Sequence, residues 1–340
     1  MAGAERQTLL IARGLIERGF EVSLLTMTEP PADRDPAWDE IPRHVLRTGQ
    51  QGFLHNRVQL ARLLSRINAD VYVQRAMGSI SGTIGPFCKL TNKRFVYHSA
   101  NSFEVSFRSV YMLTRSIGGS FSFFSGLMCA DVVLAQTENI AKAFKRALGP
   151  QKNIIVVPQI HSDDFHRTKS PRDGFVLWVS RLIWYKQPLV FIEAASRLKD
   201  IQFVMVGSGP LEPLVKERAQ SVTNLRYLGP KTHEEVEKLC SKAAVFANTS
   251  TFEGFPNTFL ECASKSTPIV TLFYDPDEVI CKFQMGMHSR TFDQFVKDLR
   301  GLTEDDETRR RMGANARQYV KRHNSPETVI NIYKQLLDSF

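Results

Sequence analysis

Two acidic and two basic residues carry the strongest chemical signal in this sequence. Glu253 and Glu261 lie in the segment FEGFPNTFLECASKSTPIV, and Arg181 and Lys186 lie upstream in VSRLIWYKQP. Arginine and lysine are suited to holding phosphate, whereas carboxylates accept hydrogen bonds from sugar hydroxyls. Because a glycine turn, VGSGP, lies between the two segments, the combination predicts a ligand made of a diphosphate that carries a sugar at each end.

The segment after Glu253 adds a second feature that favours phosphate. Gly254 permits close backbone approach, and a helix is predicted to begin a few residues later, where its free N–H groups attract phosphate oxygens. Each signal has an ordinary explanation when it stands alone, because most exposed charged side chains are simply solvated. The prediction therefore depends on the combination.

An alternation of strands and helices must position these residues. Short β-branched runs, each suited to a strand buried on both faces, alternate with stretches of helical period. Strands are predicted at 21–27, 69–75, 94–100, 131–136, 153–159, 174–180, 201–207, 224–229, 243–250 and 267–273. Helices are predicted at 5–19, 56–67, 138–149, 188–198, 211–220 and 233–242. Thr232 and Glu235 form a capping box at the start of the last of these helices. The pattern predicts an α/β protein with two doubly wound domains, a cleft between them and a boundary near 161–173.

The beginning of the first domain departs from this pattern. The chain opens on the helix at 5–19, although the first strand of a doubly wound sheet is a central one. A sheet without that strand would carry unpaired backbone groups, which is costly. We therefore expect either that residues upstream of Met1 are absent from this sequence or that the first domain is distorted.

The composition is that of a globular protein with a basic excess. Of the 340 residues, 43% are hydrophobic and 23% are charged, and the net charge is +9. Residues 1–160 hold 19 Lys and Arg against 12 Asp and Glu. This excess either meets an anionic surface or has no specific meaning. No apolar run reaches the length of a spanning helix, and no basic-aromatic stripe indicates nucleic-acid binding.

The cysteines indicate the compartment. They are widely spaced, without the spacing of a zinc site, and number five: Cys88, Cys129, Cys240, Cys262 and Cys281. An odd number with wide gaps in a chain of this size favours a reduced, cytoplasmic protein.

Together the motifs resemble a known family. Arg-x4-Lys after a strand, Gly-x-Gly-Pro after the next strand, and Glu-Gly-Phe-Pro-Asn-Thr with a second glutamate further on are similar to the donor half of a family-4 glycosyltransferase. The resemblance covers essentially the whole chain and is strongest over 174–270. It implies the GT-B fold, with two Rossmann-like domains facing across a cleft: an acceptor-side domain at 1–160 and a donor-binding domain at 174–320. A last helix at 325–340 would pack back on the first domain.

The resemblance also implies roles for individual residues. Arg181 and Lys186 would hold the diphosphate of a nucleotide-sugar donor and stabilise the leaving nucleotide. Glu253 would contact the donor sugar near its reacting carbon, and Glu261 would bind the nucleotide ribose. Sugar hydroxyls and phosphate would be bound by backbone amides in a run that includes Gly254, Phe255, Asn257 and Thr258. The transfer would proceed with retention and without a metal or other cofactor.

Four further positions follow from the same resemblance. Gly207 and Gly209 would let the nucleotide lie against the edge of the sheet. His98, in RFVYHSA, matches the position where such enzymes often place a histidine toward the donor sugar, and a hydrogen-bonded core histidine is an equal alternative. Gly3 lies at the end of the family's glycine-glycine loop, in which Ala2 replaces the first glycine.

One motif resembles a metal site but favours another interpretation. Asp275-Pro276-Asp277 has the Asp-x-Asp pattern with which other glycosyltransferases bind divalent metals. We interpret it as a turn, because proline follows directly on a predicted strand and because an oxygen-only metal site would need further ligands.

A second segment has two interpretations. Residues 105–128 are rich in aromatic residues and free of acids, with Arg108 and Arg115 as cations. Such a segment suits an anionic membrane interface. We prefer a buried helical hairpin broken at Gly118-Gly119, because aromatic residues mostly serve cores.

Three functions remain open at this point. The leading one is a glycosyltransferase that acts on a glycan or lipid-linked acceptor in cell-surface polysaccharide synthesis, in the cytoplasm or peripherally on the inner membrane face. The second is a nucleotide-sugar epimerase of the same fold. The third is a nucleotide-sugar- or membrane-binding homologue whose first domain no longer supports catalysis. The sequence does not distinguish UDP from GDP, nor one sugar or acceptor from another.

Overall fold

The computed structural model describes residues 3–27, 38–46, 53–106, 110–111, 116–161 and 174–340. The chain divides into two compact units. Unit 1 comprises residues 1–160 and 326–340, and unit 2 comprises residues 161–325. Both units are α/β, as the sequence predicts.

Unit 1 is built around parallel strands. Its strands are β1 (Leu24–Thr26), β2 (Arg43–Val45), β3 (Val71–Arg75), β4 (Arg94–His98), β5 (Val132–Ala135) and β6 (Ile154–Val156). Its helices up to residue 160 include α1 (Gly3–Ile16), α2 (Phe53–Ile67), α3 (Ser81–Leu90), α4 (Ile117–Cys129) and α5 (Glu138–Leu148). Strands β3 to β6 form one parallel sheet in the order β3-β4-β5-β6. β5 is buried along its whole length, which explains its uninterrupted apolar sequence.

The first sheet of unit 1 is interrupted among the described residues. β1 pairs only with β2, in parallel, and this pair forms a sheet separate from the four-stranded one.

Unit 2 contains a continuous parallel sheet. Its strands are β7 (Val176–Val179), β8 (Phe203–Val206), β9 (Leu225–Tyr227), β10 (Val245–Asn248), β11 (Ile269–Thr271) and β12 (Gly286–His288). The described helices are α6 (Pro188–Arg197), α7 (Glu212–Gln220), α8 (His233–Lys242), α9 (Asn257–Ser264), α10 (Val279–Lys282), α11 (Phe292–Glu304) and α12 (Asp306–His323). The strand order is β12-β11-β10-β7-β8-β9. Two apolar clusters, one on each side of the sheet's strands, form the core, which is the layered arrangement of a doubly wound fold.

The capping box predicted at the start of α8 is confirmed. The Thr232 side chain accepts a hydrogen bond from the Glu235 backbone N–H, and the Glu235 carboxylate accepts one from the Thr232 backbone N–H. Both bonds satisfy donors that a helix start otherwise leaves unpaired.

The last helix, α13 (Pro326–Asp338), belongs to unit 1. Its Val329, Ile330 and Tyr333 are buried in one apolar cluster with Leu15 of α1 and Val96 of β4. The fit is close, because a Cβ added to Gly14 would lie 2.6 Å from Ile330 Cγ1. Residues at both ends of the chain therefore share one core.

The hairpin predicted within 105–128 is wrong in one respect. Gly118 and Gly119 do not break a helix but lie in the first turn of α4, whose N-cap Ser116 accepts a hydrogen bond from the Gly119 N–H at 3.0 Å. Arg108 and Arg115 lie outside the described residues.

Candidate functional site

The predicted donor-site residues of unit 2 lie in two loops at the carboxyl ends of neighbouring strands. β7 is followed by the loop at 180–187, and β10 is followed by the loop at 249–256. β7 and β10 pair directly, with Val245 opposite Val176. The loops are therefore adjacent at the sheet edge where ligands of doubly wound folds bind.

Hydrogen bonds join the two loops. The Thr251 backbone N–H donates to the Tyr185 carbonyl at 2.9 Å, and the Thr249 hydroxyl donates to the Lys186 carbonyl at 2.7 Å. Thr249 in turn accepts a bond from the Trp178 indole N–H at 3.0 Å. Hydrogen bonds between the two loops, and one from Trp178 of β7, therefore hold the backbone on both sides of the predicted diphosphate site.

The structure brings Lys186 and Glu253 into direct contact. The Lys186 ammonium donates to Glu253 Oε1, and the two side chains are only 13% and 12% exposed. Charges this enclosed depend on each other, because either one left alone would be buried without compensation. The pair therefore places one cation and one carboxylate together directly before α9.

Arg181 lies in the loop at 180–187, like Lys186, but it is exposed. Its Nη2 donates to the Tyr185 hydroxyl at 3.2 Å. The Tyr185 ring stacks on Phe252 with centroids 4.7 Å apart, and exposed Trp184 packs edge-on against both rings. Sequence reasoning missed this aromatic group, although two of its members stand between Arg181 and Lys186.

The helix start after Glu253 has the predicted position. Asn257 and Thr258 are the first two residues of α9, and no side chain caps its N-terminus. The Gly254 carbonyl accepts a hydrogen bond from the Tyr274 hydroxyl at 2.9 Å, which fixes the loop from the side of β11. The first N–H groups of α9 are thus held at the same loop as the Lys186–Glu253 pair.

Phe255 has a structural role through its side chain. Its ring is buried, lies 6.3 Å from the Phe259 ring and stacks on Tyr319. The ring belongs to the core, so only the backbone of Phe255 is suited to a ligand.

Glu261 lies further along α9 and is enclosed. Its carboxylate is 3.5 Å from His233 Nδ1, and His233 Nε2 lies 2.8 Å from Glu237 Oε1. His233 is the first residue of α8, directly after the capping Thr232. Sequence reasoning did not single out this histidine, because a helix-start residue between a cap and an acidic turn has no distinctive spacing.

Gly207 and Gly209 have an additional reason to be glycine. Their φ angles are +146° and +153°, in the region that favours glycine. A Cβ at Gly207 would collide with the Ser180 carbonyl, and one at Gly209 would lie 2.7 Å from the Leu182 carbonyl. The two glycines therefore allow the turn to pack against the loop that carries Arg181.

His98 ends β4 in unit 1 and is fully enclosed. Its Nδ1 lies 2.7 Å from the Tyr333 hydroxyl and 3.0 Å from Arg75 Nη1. Burial, reinforced by the Arg75 charge, lowers the pKa of His98 well below its ordinary value, so the ring is neutral. Arg75 Nη2 also donates to Gln159 Oε1 at 2.8 Å. His98 thus has the partners of a hydrogen-bonded core histidine, while its predicted role toward a donor sugar stays a prediction.

A buried carboxyl completes this polar group. Glu104 accepts a hydrogen bond from the Tyr97 hydroxyl at 2.7 Å, and burial raises its pKa to about 7. Gly3, the other predicted site residue of unit 1, is the first residue of α1.

The Asp-x-Asp motif forms a turn, as we expected. A 3-10 turn at Pro276–Glu278 follows β11, and Asp277 has a φ of 51°. The Asp275 carboxylate accepts hydrogen bonds from the backbone N–H groups of Ile280 and Cys281, at 2.9 and 3.1 Å, and so caps the short helix α10.

Two family models match the chain side by side. Residues 1–160 match the model described as Glycosyltransferase Family 4, and residues 159–319 match the model described as Glycosyl transferases group 1. The parallel sheets, the loops at their carboxyl ends and these matches define the class. The chain belongs to the family-4 glycosyltransferases.

One curated relative is O-antigen chain mannosyltransferase C of Escherichia coli, which is 26% identical over 238 residues. The match covers 63% of this chain and 63% of that protein, so the chain spans less than two thirds of its length.

Solved structures share the fold. HepE of Anabaena, in complex with UDP and glucose, has a TM-score of 0.75 at 17% identity and covers 100% of this chain and 96% of its own. A glycosyltransferase of Rickettsia africae has a TM-score of 0.77 at 16% identity, and the match covers 98% of this chain and 94% of that protein. The fold is therefore GT-B, with two Rossmann-like units. Within the described part of the chain, no helix is both long and apolar enough to cross a bilayer.

Proposed function

We propose that the chain is a retaining glycosyltransferase that moves a hexose from a nucleotide-diphosphate sugar to a glycan or lipid-linked acceptor. The observation that carries the proposal is the Lys186–Glu253 pair, which lies between two hydrogen-bonded loops directly before the uncapped start of α9. A cation, a carboxylate and the N–H groups of a helix start are the three kinds of group that suit a diphosphate bound to a sugar.

The proposed reaction follows from where charge develops. The bond between the anomeric carbon and the diphosphate oxygen breaks, and its electron pair passes to the diphosphate. Arg181, Lys186 and the first N–H groups of α9 stabilise this growing charge more strongly in the transition state than in the ground state. The acceptor oxygen bonds to the anomeric carbon on the face of departure, and its proton passes to the leaving phosphate, so that the configuration is retained.

Lys186 has two partners in this scheme. In the structure its ammonium is held by Glu253, whose other oxygen remains available to a sugar hydroxyl. Donor binding would let the ammonium share its hydrogen bonds between the carboxylate and the diphosphate. We propose that the transfer needs no metal, because the two basic side chains and the helix start supply the compensating charge.

Glu261 is the proposed ribose ligand, with His233 beside it. The proposed donor and pathway are supported only by similarity to other proteins. HepE binds UDP and glucose, and the Escherichia coli relative is an O-antigen mannosyltransferase, so UDP- and GDP-hexoses and a role in cell-surface polysaccharide synthesis are the choices to test.

A peripheral position on an anionic, cytoplasmic membrane face is supported by α4. Ile117, Phe121 and Met128 are 62%, 67% and 60% exposed and lie along one side of this helix. An exposed apolar helix face on a unit with a basic excess suits the boundary of an anionic bilayer. Such a position would present the enzyme to a lipid-linked acceptor.

A thermal-shift screen with UDP- and GDP-hexoses tests the donor site. A ligand at about 100 times its dissociation constant adds about 2.7 kcal/mol of stability. The shift should appear for one donor class and be lost in Arg181→Ala. Lys199→Ala, a basic residue of the same unit after α6, is the matched control and should keep the shift.

Product analysis separates the three functions. Transfer of the sugar to an added acceptor, with retained configuration, supports the proposal. Conversion of the donor sugar without any acceptor would identify an epimerase, and donor binding without turnover on any acceptor would identify a homologue that only binds.

A further inference from the structure

A second cluster of chemical groups in unit 2 lies at the carboxyl ends of β11 and β12, which follow β10 in the sheet. Asp275, Cys281 and His288 each offer one atom that could bind a metal, and the three atoms all lie within 4.8 Å of one another. The proposed transfer uses none of these residues.

The three side chains come from three successive parts of the chain: the turn after β11, α10 and β12. Asp275 follows β11, Cys281 lies in α10, and His288 ends β12, where it pairs in register with Thr271 of β11. The Asp275 carboxylate is oriented by backbone N–H groups of Ile280 and Cys281. Hydrogen bonds of this kind hold metal-binding carboxylates in place, and each oxygen keeps a further lone pair.

The hydrogen bonding of His288 supports a ligand at this cluster. His288 Nε2 is buried and accepts or donates no hydrogen bond within the described part of the chain. A buried ring nitrogen without a partner is costly, and a bound ligand would satisfy it.

A cavity gives access to the cluster. It has a volume of about 530 Å³ and is lined by both Cys281 and His288, with Gln294, Asp298 and Arg311 on its other walls. A cation held by the three side chains would therefore keep one position open toward this cavity.

The donor set selects the kind of metal. A thiolate sulfur, an imidazole nitrogen and a carboxylate oxygen together are ligands of Zn²⁺, whereas Mg²⁺ and Ca²⁺ prefer oxygen alone. We propose that Asp275, Cys281 and His288 form a binding site for Zn²⁺, with the fourth position open to the cavity. On binding, the Cys281 thiol loses its proton to solvent and a metal–sulfur bond forms, without any change of oxidation state.

The site has a structural consequence. A metal there would tie the turn after β11 to the end of β12. Tyr274, which holds the Gly254 carbonyl of the donor loop, is the residue directly before Asp275. Metal binding would therefore restrain the segment that supports the donor loop.

Cobalt titration of the full chain provides the test, because Co²⁺ replaces Zn²⁺ in such sites and reports on its ligands. After chelator treatment, one equivalent of Co²⁺ should bind and produce a near-ultraviolet sulfur-to-cobalt absorption band, which Zn²⁺ then removes. Cys281→Ser should abolish the band, and His288→Gln should weaken binding by about tenfold or more.

Matched controls keep the result specific. Cys129→Ser and His55→Gln, a cysteine and a histidine outside the cluster, should leave band and affinity unchanged. The lead variants avoid Asp275, whose loss would also remove the cap of α10; circular dichroism verifies their folding. Absence of stoichiometric Co²⁺ binding, or binding that persists unchanged in both Cys281→Ser and His288→Gln, would overturn the proposal.

Discussion

The hydroxyl of Tyr333, on the last helix of the chain, lies 2.7 Å from Nδ1 of His98, at the end of a central strand of unit 1. Arg75 Nη1 approaches the same nitrogen at 3.0 Å. The same Arg75 nitrogen lies 3.3 Å from Nε2. An arginine can only donate, and because its shorter distance and the Tyr333 contact are both to Nδ1, we predict that Nδ1 is the acceptor and that the neutral ring carries its proton on Nε2. The C-terminal helix therefore contributes, together with Arg75, to the hydrogen bonding of the His98 ring.

Replacing Tyr333 with phenylalanine should remove its hydrogen bond to His98 without unfolding unit 1. The loss of one buried hydrogen bond costs about 1 kcal/mol. In ¹⁵N spectra of the histidine rings, His98 should show a pure Nε2–H tautomer in the wild type and a shifted pattern in Tyr333→Phe. Tyr72→Phe, which removes another buried tyrosine hydroxyl of the same unit, is the control. An Nδ1–H ring in the wild type would contradict the assignment.

The pH dependence of stability should reflect two opposing buried groups. His98 has a folded pKa well below its ordinary value of 6.5, so the unfolded chain takes up the proton first and stability falls as pH falls below 6.5. Glu104 has a folded pKa raised from 4.5 to about 7, so its contribution is lost as pH rises through that window. Between pH 5 and 6.5 the two contributions should therefore have opposite signs.

Single variants of Glu104 and His98 separate the two contributions to stability. In Glu104→Gln, stability should rise from pH 5 to 6.5, because only the histidine contribution remains. In His98→Gln, it should fall over the same range. Urea unfolding of each variant at both pH values measures this, and parallel slopes in the two variants would rule out the assignment.

The Lys186–Glu253 pair should show strong coupling. Lys186→Met alone leaves an enclosed carboxylate without a partner and should destabilise unit 2 by about 1–3 kcal/mol. The double variant Lys186→Met/Glu253→Gln should recover much of that loss but not donor binding. Denaturation and donor titration of all four forms give the double-mutant cycle. Additive losses would mean that the two side chains act independently.

The exposed face of α4 gives a prediction for membranes. Ile117→Ser combined with Phe121→Ser should reduce sedimentation with anionic liposomes, because apolar area drives interfacial binding. Val58→Ser, another half-exposed apolar residue of unit 1, should have no effect. Equal sedimentation of both variants would leave α4 without a membrane role.

The sequence predicted those strands and helices whose own residues form an uninterrupted apolar run or a clear helical period. β5 and β10 are uninterrupted apolar runs and were predicted within a few residues. β2 and β12 were missed, since each is three residues long and only partly apolar. α3 was missed because its glycines suppress the helical pattern. A Cβ at Gly85 would lie 2.8 Å from the Gly126 carbonyl, so close packing on α4 requires the small residue.

The candidate site was likewise predictable from the sequence only in part. The spacing of Arg181, Lys186 and Glu253 predicted one charged group, and the structure joins the last two directly. The contact of His98 with Tyr333 could not be predicted, because 235 residues separate them and only the tertiary fold brings them together.

The turn that carries Gly209 should tolerate no side chain. Gly209→Ala places a Cβ 2.7 Å from the Leu182 carbonyl at a φ of +153°, and we expect a loss of about 1–3 kcal/mol. Because the loop at 180–187 contains both Leu182 and Arg181, the same change should also weaken donor binding. Gly301→Ala is the matched control: no atom lies within 4 Å of its Cβ, it is in the interior of α11, and it should stabilise by about 1 kcal/mol. Urea denaturation of both variants measures the difference. A Gly209→Ala protein as stable as wild type would show that the turn shifts to admit the methyl group and that the glycine serves the ligand rather than the loop.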